Sequence, residues 1–247
     1  MSDSYQSQSY ISTDDVHYAP LAPGERELGL LGDVNGKSVL ELACGSAQNS
    51  IALAKWGARV TGLDISMRQL RKASDLATEE GVSVSLVLGD MESLGMFRDR
   101  CFDIVLSSFG WEFAPDLSTC VRECYRVLGS GGLLVVATTH PLSAFEWDED
   151  EKALLVTDYF NPPVELWEDS AGRMRSPAMT FFRTVEEMFE LLTGAGFSVE
   201  RLLEPPPYLA KRRLDGHSPY AGSYWEDHGE RLRRVPFAIV YVARKGS

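Results

Sequence analysis

Short apolar runs bounded by glycine or asparagine alternate with amphipathic stretches along most of this chain, which predicts an α/β fold built on a parallel sheet. Ser38–Leu42 is a β-branched and apolar run lying between Asn35-Gly36 and Cys44-Gly45, as expected of a strand buried on both faces. Arg59–Leu63, Val82–Leu88, Phe102–Ser107, Leu133–Ala137, Phe197–Leu203 and Pro236–Ala243 are further runs of the same kind, so seven strands are expected. Between them lie helical patterns. Ser46–Trp56 is stopped by Gly57, and Glu25–Leu31 is a short helix leading into the first strand. Ser66 is a suitable N-cap for a helix to Thr78 with Leu70, Ala73 and Ala77 on one face, and Thr184 for one to Ala195 with Val185, Met188, Phe189 and Leu192 inward. Pro115–Leu128 has the clearest amphipathic stripe, formed by Leu117, Cys120, Val121, Cys124, Val127 and Leu128.

The pattern breaks in two places. Residues 142–180 mix acidic clusters (Asp148–Glu151), a strand-like run (Leu154–Thr157) and turns, and read as an insertion into the core. Residues 1–35 begin with a Ser-, Gln- and Tyr-rich stretch that is either a lid closing over a ligand or an unstructured tail. The expected organisation is therefore an N-terminal segment 1–35, a core of 36–141 and 181–247, and a cap of 142–180.

Composition narrows the function. With 44% hydrophobic and 24% charged residues in a chain of 247, there is enough apolar material for one full core. A formal net charge of −12 opposes binding to a phosphate backbone and argues against a nucleic-acid substrate, although Lys211–Arg213 and Arg231–Arg234 are local basic clusters. Cys44, Cys101, Cys120 and Cys124 form neither a CxxC pair nor a disulfide framework, and read as small buried hydrophobes of a reducing compartment. No segment has the ~18 consecutive apolar residues of a membrane span, and no signal peptide is recognisable, so the expected location is cytoplasmic without membrane association. A homo-oligomer is compatible with all of this.

Chemistry is announced at the first turn. Asp64 ends the second strand about twenty residues after Gly45, placed to accept hydrogen bonds from ribose hydroxyls at the carboxyl edge of the sheet. A dinucleotide loop needs Gly-x-Gly-x-x-Gly, yet the positions two before and three after Gly45 are Ala43 and Gln48. A pyrophosphate would be crowded there. An adenosine with an uncharged or positive linker would not, which fits S-adenosylmethionine (SAM).

Glu41-Leu42-Ala43-Cys44-Gly45 resembles the acidic, glycine-containing first motif of the class I SAM-dependent methyltransferases, and Val60–Ser66 resembles their second motif. Gly89-Asp90-Met91-Glu92, Cys101–Ser107 and Tyr125–Leu133 resemble the segments that follow, in order, so that the resemblance spans about residues 36 to 140. It implies a Rossmann-like doubly wound sheet of seven mostly parallel strands, the last antiparallel and lying between the fifth and sixth, with a β-rich cap inserted after the fifth strand. It also implies SAM as cofactor and S-adenosylhomocysteine as product, with Glu41, Ala43, Cys44, Gly45, Asp64, Ile65, Asp90, Met91 and Ser107 around the cofactor. Asp90 either accepts from the adenine amino group, with the Met91 amide beside it, or caps a helix.

The acceptor is less legible. Phe109, Trp111, Glu112 and Phe113 follow the fourth strand directly, and with Tyr10 and Tyr18 of the N-terminal segment they are expected to line the acceptor side or its lid. His140 ends the fifth strand and is the first candidate for a general base, with Glu112, His17 and Tyr18 behind it; alternatively, a histidine before proline caps the strand end. No carboxylate cluster suggests a metal ion, and none is expected. Asn161-Pro162-Pro163-Val164 is reminiscent of the catalytic tetrad of DNA amino-methyltransferases but does not follow the fourth strand and lacks the aromatic fourth residue. The expectation is methyl transfer to O or N of a small molecule, of the specialised-metabolite (antibiotic) type. Methylation of tRNA or protein, and a SAM-binding regulatory module without turnover, are the alternatives.

Overall fold

The computed structural model describes residues 11–167, 178–206 and 228–246. A one-turn helix α1 (Glu25–Leu28) leads to β1 (Ser38–Leu42), followed by α2 (Gln48–Lys55), β2 (Arg59–Asp64), α3 (Met67–Glu79), β3 (Ser85–Leu88) and β4 (Phe102–Ser108). A 3-10 turn at Trp111–Phe113 precedes α4 (Leu117–Val127) and β5 (Leu128–Thr139), and a second one at Pro141–Ala144 opens the insertion. The insertion carries β6 (Glu146–Asp148), β7 (Ala153–Leu155), β8 (Glu165–Trp167) and β9 (Ala178–Thr180). The chain then returns with α5 (Val185–Gly194), β10 (Phe197–Leu203), α6 (Gly229–Arg234) and β11 (Ala238–Lys245).

The main sheet has the order β10-β11-β5-β4-β1-β2-β3, and β11 is antiparallel to both its neighbours. This is the seven-stranded Rossmann-like sheet expected from the resemblance. Insertion strands pair separately, β6 with β7 and β8 with β9, as two antiparallel ribbons.

Strand alternation explains the two-sided core. Leu40, Leu42, Val105, Leu134 and Val136 face one layer with Leu117, Cys120, Val121 and Cys124 of α4 and Met188 and Leu192 of α5. Their sequence neighbours Val39, Ile104, Leu106, Leu133 and Val135 face the other, against Ala52 and Leu53 of α2 and the N-terminal Val16 and Tyr18. Burying one such Leu or Val contributes roughly 1.5–3 kcal/mol, and the central strands are filled in this way on both faces.

Caps set several boundaries. Ser66, Asp116 and Thr184 each accept a backbone N–H three residues on and start α3, α4 and α5. Gly29, at φ 59°, ends α1 before Leu31, so that helix is shorter than its sequence pattern predicts. β5 starts at Leu128 rather than Leu133: Phe102 pairs with Leu128 but Ile104 with Leu133, so the Gly129–Gly132 run is taken up as an irregularity within the strand. Cys101 is exposed rather than buried, the other three cysteines are buried, and all four are free thiols. No helix of the described residues is long and apolar enough to cross a membrane.

Candidate functional site

The carboxyl edge of the sheet is organised by one carboxylate. Asp64 Oδ2 accepts from the Gly45 amide at 2.8 Å and Oδ1 from the Ser66 amide at 2.8 Å, so the end of β2 ties down both the β1–α2 turn and the start of α3. A carboxylate has about four lone-pair sites, and these bonds use two; Asp64 remains 8% exposed. Apolar surface stands open beside it. Ile65 is 74% exposed, and Leu88, the cross-strand partner of Asp64, is 49% exposed. Asp90 is exposed at the end of β3, where Oδ1 accepts from the Glu92 amide at 2.9 Å. It opens a turn and not a helix, which corrects the helix-cap alternative. Met91 is half-buried and packs on the core.

The β1–α2 turn is left-handed at three residues, Ala43 (φ 52°), Gly45 (φ 56°) and Ala47 (φ 62°). For the two alanines this conformation costs about 1–2 kcal/mol each, strain of the kind that collects at ligand clamps. Gly110 explains part of the constraint: a Cβ there would stand 2.5 Å from Ala43 Cβ and 2.9 Å from Ser107 Oγ. Below the turn, Glu41 is buried in β1 and accepts from Ser50 Oγ, and burial pushes its carboxyl up to about 7. Cys44 is buried, which pushes its thiol up, and its backbone is tied down, the amide donating to the Leu63 carbonyl at 3.0 Å and the carbonyl accepting from the Ala47 amide at 2.8 Å.

Asn49, in the first turn of α2, is a site residue that sequence reasoning missed. Its Oδ1 accepts from the His17 amide at 2.8 Å, and its Nδ2 donates to the His17 carbonyl at 3.0 Å and to Ser108 Oγ at 3.3 Å. The N-terminal segment is thereby fastened beside the end of β4. His17 is half-buried, and burial lowers its ring to about 4 against a raising hydrogen bond to the Ala19 backbone, so it is a neutral imidazole near pH 7. The available signal was an amide in the first turn of α2, a signal that the adjacent Gln48 carries equally.

Several expected site residues point elsewhere. Ser107 is wholly buried and its hydroxyl donates to the Leu42 carbonyl, 3.3 Å away; Ser108 is the serine at the edge. Trp111 is wholly buried in the core below the edge. Tyr18 is also buried, donating to Glu25 Oε2 at 2.6 Å, while the same Glu25 carboxylate accepts the Leu30 and Leu31 amides. It is a core residue and not a lid. Tyr10 lies outside the described residues. Phe109, at φ 55°, stacks on Phe237 with ring centroids 5.9 Å apart, and Phe113 is exposed. Glu112 is 2% exposed, accepts from Thr138 Oγ1 at 3.2 Å, and is pushed up to about 7 by burial. Its carbonyl accepts from the Phe181 amide at 2.8 Å, joining the end of β9 to the core.

His140 requires the largest correction. Nδ1 accepts from the Leu142 amide at 3.1 Å, so the ring hydrogen is on Nε2, which faces Glu204 Oε1 at 2.9 Å. Both nitrogens are engaged, and burial lowers the pKa of the ring. The geometry is that of a cap on the Pro141–Ala144 turn, with no lone pair left for an incoming proton. No group of three or more His, Cys, Asp or Glu that could hold a metal converges among the described residues.

The fold and the sequence of the sheet's core have relatives among known proteins. The family described as methyltransferase domain matches residues 40–136. A methyltransferase of Bacillus subtilis, itself uncharacterized, is 28% identical over 177 residues, 69% of each chain. The demethylmenaquinone methyltransferase of Anoxybacillus flavithermus is 38% identical over 108 residues, 42% of this chain and 45% of that one. Among solved structures, an S-adenosylmethionine dependent methyltransferase from Mesorhizobium loti superposes with a TM-score of 0.70 at 22% identity, covering 88% of this chain and 95% of that chain.

Proposed function

Because residues 40–136 match the family described as methyltransferase domain, we propose that the protein is a SAM-dependent methyltransferase acting at O or N of a small, largely apolar acceptor of the specialised-metabolite type. The observation that carries this reading is the Asp64 carboxylate, which holds the Gly45 and Ser66 amides with two of its lone pairs and is followed by the exposed Ile65 and paired across the sheet with the exposed Leu88. Such a combination suits a ribose with a purine beside it. Bound SAM supplies an electrophilic methyl on a sulfonium.

The chain's own residues divide the remaining work. Asp64 accepts from the ribose hydroxyls, Asp90 and the Met91 amide recognise the adenine edge, Ile65 covers the ring, and the Ala43–Gly45 backbone borders the linker. Glu41 supports the turn from below through Ser50. On the acceptor side, the stacked Phe109 and Phe237 form an apolar wall, for which a ring-bearing acceptor is suited; the demethylmenaquinone methyltransferase among the relatives supports that choice. His17, held at its backbone by Asn49 beside Ser108, replaces His140 as the residue that would orient an acceptor hydroxyl or amine. In-line displacement needs the nucleophile held ~3 Å from the methyl with water excluded, and the 142–180 insertion is the proposed cover.

Calorimetry of SAM binding tests the cofactor half. Loss of a charge-assisted hydrogen-bond acceptor is worth about 1.5–3 kcal/mol, so Asp64→Ala should weaken SAM at least about tenfold. Unchanged affinity would remove Asp64 from the site. Incubation with labelled SAM and a cell extract, partitioned into small molecules, protein and nucleic acid, tests the acceptor class; label entering protein or RNA would overturn the small-molecule reading.

A further inference from the structure

At the opposite, amino-terminal edge of the sheet lies a groove of about 340 Å3 lined by Asp99, Arg100, Arg122, Tyr125, Arg126, Ala195 and Lys245. Four of these seven residues are cationic, in a chain whose net charge is −12. What matters is how the nearby carboxylates are used. Arg126 takes both of them: Nε donates to Glu123 Oε1 and Nη2 to Glu123 Oε2, each at 2.8 Å, while Nη1 donates to Asp99 Oδ1 at 2.8 Å. Its remaining donors reach the Phe97 and Leu94 carbonyls.

The other three cations have no direct bond to a carboxylate; Asp99 acts on Lys245, and Asp116 on Arg122, through charge. Lys245 is 6% exposed, and its ammonium donates to the Tyr125 carbonyl at 2.6 Å and the Leu128 carbonyl at 2.8 Å, 4.5 Å from the centre of the Tyr125 ring. Burial and the neighbouring Arg100 both lower its pKa, the second effect being repulsion between like charges. Arg122 is bonded by the Ser118 and Thr119 hydroxyls, and Asp116 reaches it through Thr119. Arg100 is anchored by its own amide to the Arg126 carbonyl at 3.0 Å, which fixes its backbone beside the groove. A folded chain that assembles four cations around a cavity lined by one carboxylate, and ties that carboxylate to Arg126, keeps an excess of positive charge in place before an anion arrives.

We propose that this groove binds the dianionic phosphate group of a small phosphorylated metabolite, with Arg100, Arg122 and Lys245 as its donors. A planar guanidinium matches phosphate oxygens two at a time, and about 340 Å3 is room enough for a compact metabolite. An RNA would need a basic track, whereas the surrounding surface belongs to an acidic chain. The site is independent of the methyltransferase reading, since none of its residues lies at the carboxyl edge.

Pyrophosphate and inorganic phosphate are the probes, because neither carries an adenine that could enter the proposed cofactor site. Calorimetry and thermal melting of the full chain in low-salt buffer should show binding of both and a rise in melting temperature, with chloride at matched ionic strength having no effect. The double variant Arg100→Ala, Arg122→Ala removes two exposed guanidiniums and should weaken pyrophosphate about tenfold or more while leaving SAM affinity unchanged. Failure of the wild type to bind either probe, or equal binding by the double variant, overturns the proposal. Displacement of pyrophosphate by a short RNA at lower concentration than by inorganic phosphate would transfer the groove to a nucleic-acid partner and overturn the small-molecule assignment.

Discussion

Replacing Glu112 by Gln should make the protein more stable, by a margin that grows as pH rises from about 4.5 to about 7 and is constant above that. Its carboxyl is buried under the β4–α4 connection, accepts from Thr138 Oγ1, and has Arg183 nearby without a direct ion pair. Arg183 spends its donors on the carbonyls of Trp111, Ala114 and Phe181. Burial raises the folded-state pKa from 4.5 to about 7. Between those values the folded chain holds a proton that the unfolded chain has released, so stability falls as pH rises through that window. At about 1.36 kcal/mol per pKa unit, the full loss is roughly 3 kcal/mol. Gln keeps the shape and the acceptor for Thr138 but has no charge to bury. Urea unfolding at pH 5, 6, 7 and 8 should therefore show the two proteins nearly equal at pH 5 and the variant ahead by about 3 kcal/mol at pH 8. Glu41 is raised to about 7 as well and His17 lowered to about 4, which act on both proteins alike and in opposite directions, so the test is the difference between the two proteins and not the slope of either. A difference between the two proteins that stays constant across all four pH values would refute the argument, because it would mean that Glu112 does not change its protonation in that range.

The acceptor side and the turn yield further expectations. His17→Ala should lower kcat about 10²-fold with SAM affinity intact, and the wild-type rate should not fall through pH 6.5, since burial holds the ring near 4; equal kcat values would remove His17 from the acceptor site. His140→Ala should cost about 1–2 kcal/mol by thermal melting, from the lost bonds to Leu142 and Glu204, but leave the shape of the rate-versus-pH profile unchanged. A change of shape there would restore His140 as a base. Gly110→Ala should destabilise by about 2 kcal/mol and weaken SAM, because the added methyl meets Ala43 and Ser107 within 3 Å; a variant with normal melting and affinity would show that the turn is not constrained.

Much of this architecture was already present in the sequence. The strands of the sheet follow from short apolar runs that no amphipathic helix could bury, and Ser66 and Thr184 announce their helices through local hydrogen bonds three residues long. Asp64 was legible because its role depends on ending a strand next to a turn, both local properties. What only the tertiary structure decided depends on partners distant in the chain. His140 becomes a cap because Glu204, 64 residues later, takes its second nitrogen. Tyr18 sinks into the core because Glu25 can accept its hydroxyl without leaving a buried donor unsatisfied. Asn49 joins His17 to Ser108 across 32 and 59 residues, and no periodicity records such a meeting. The basic groove is the same case: Lys245 contacts carbonyls 117 and 120 residues away, and Asp99, 27 residues before Arg126, is committed to it only once the chain ahead of β4 has packed on α4. Backbone pattern is set by neighbours along the chain, whereas the charge and availability of a side chain are set by whatever the fold brings beside it.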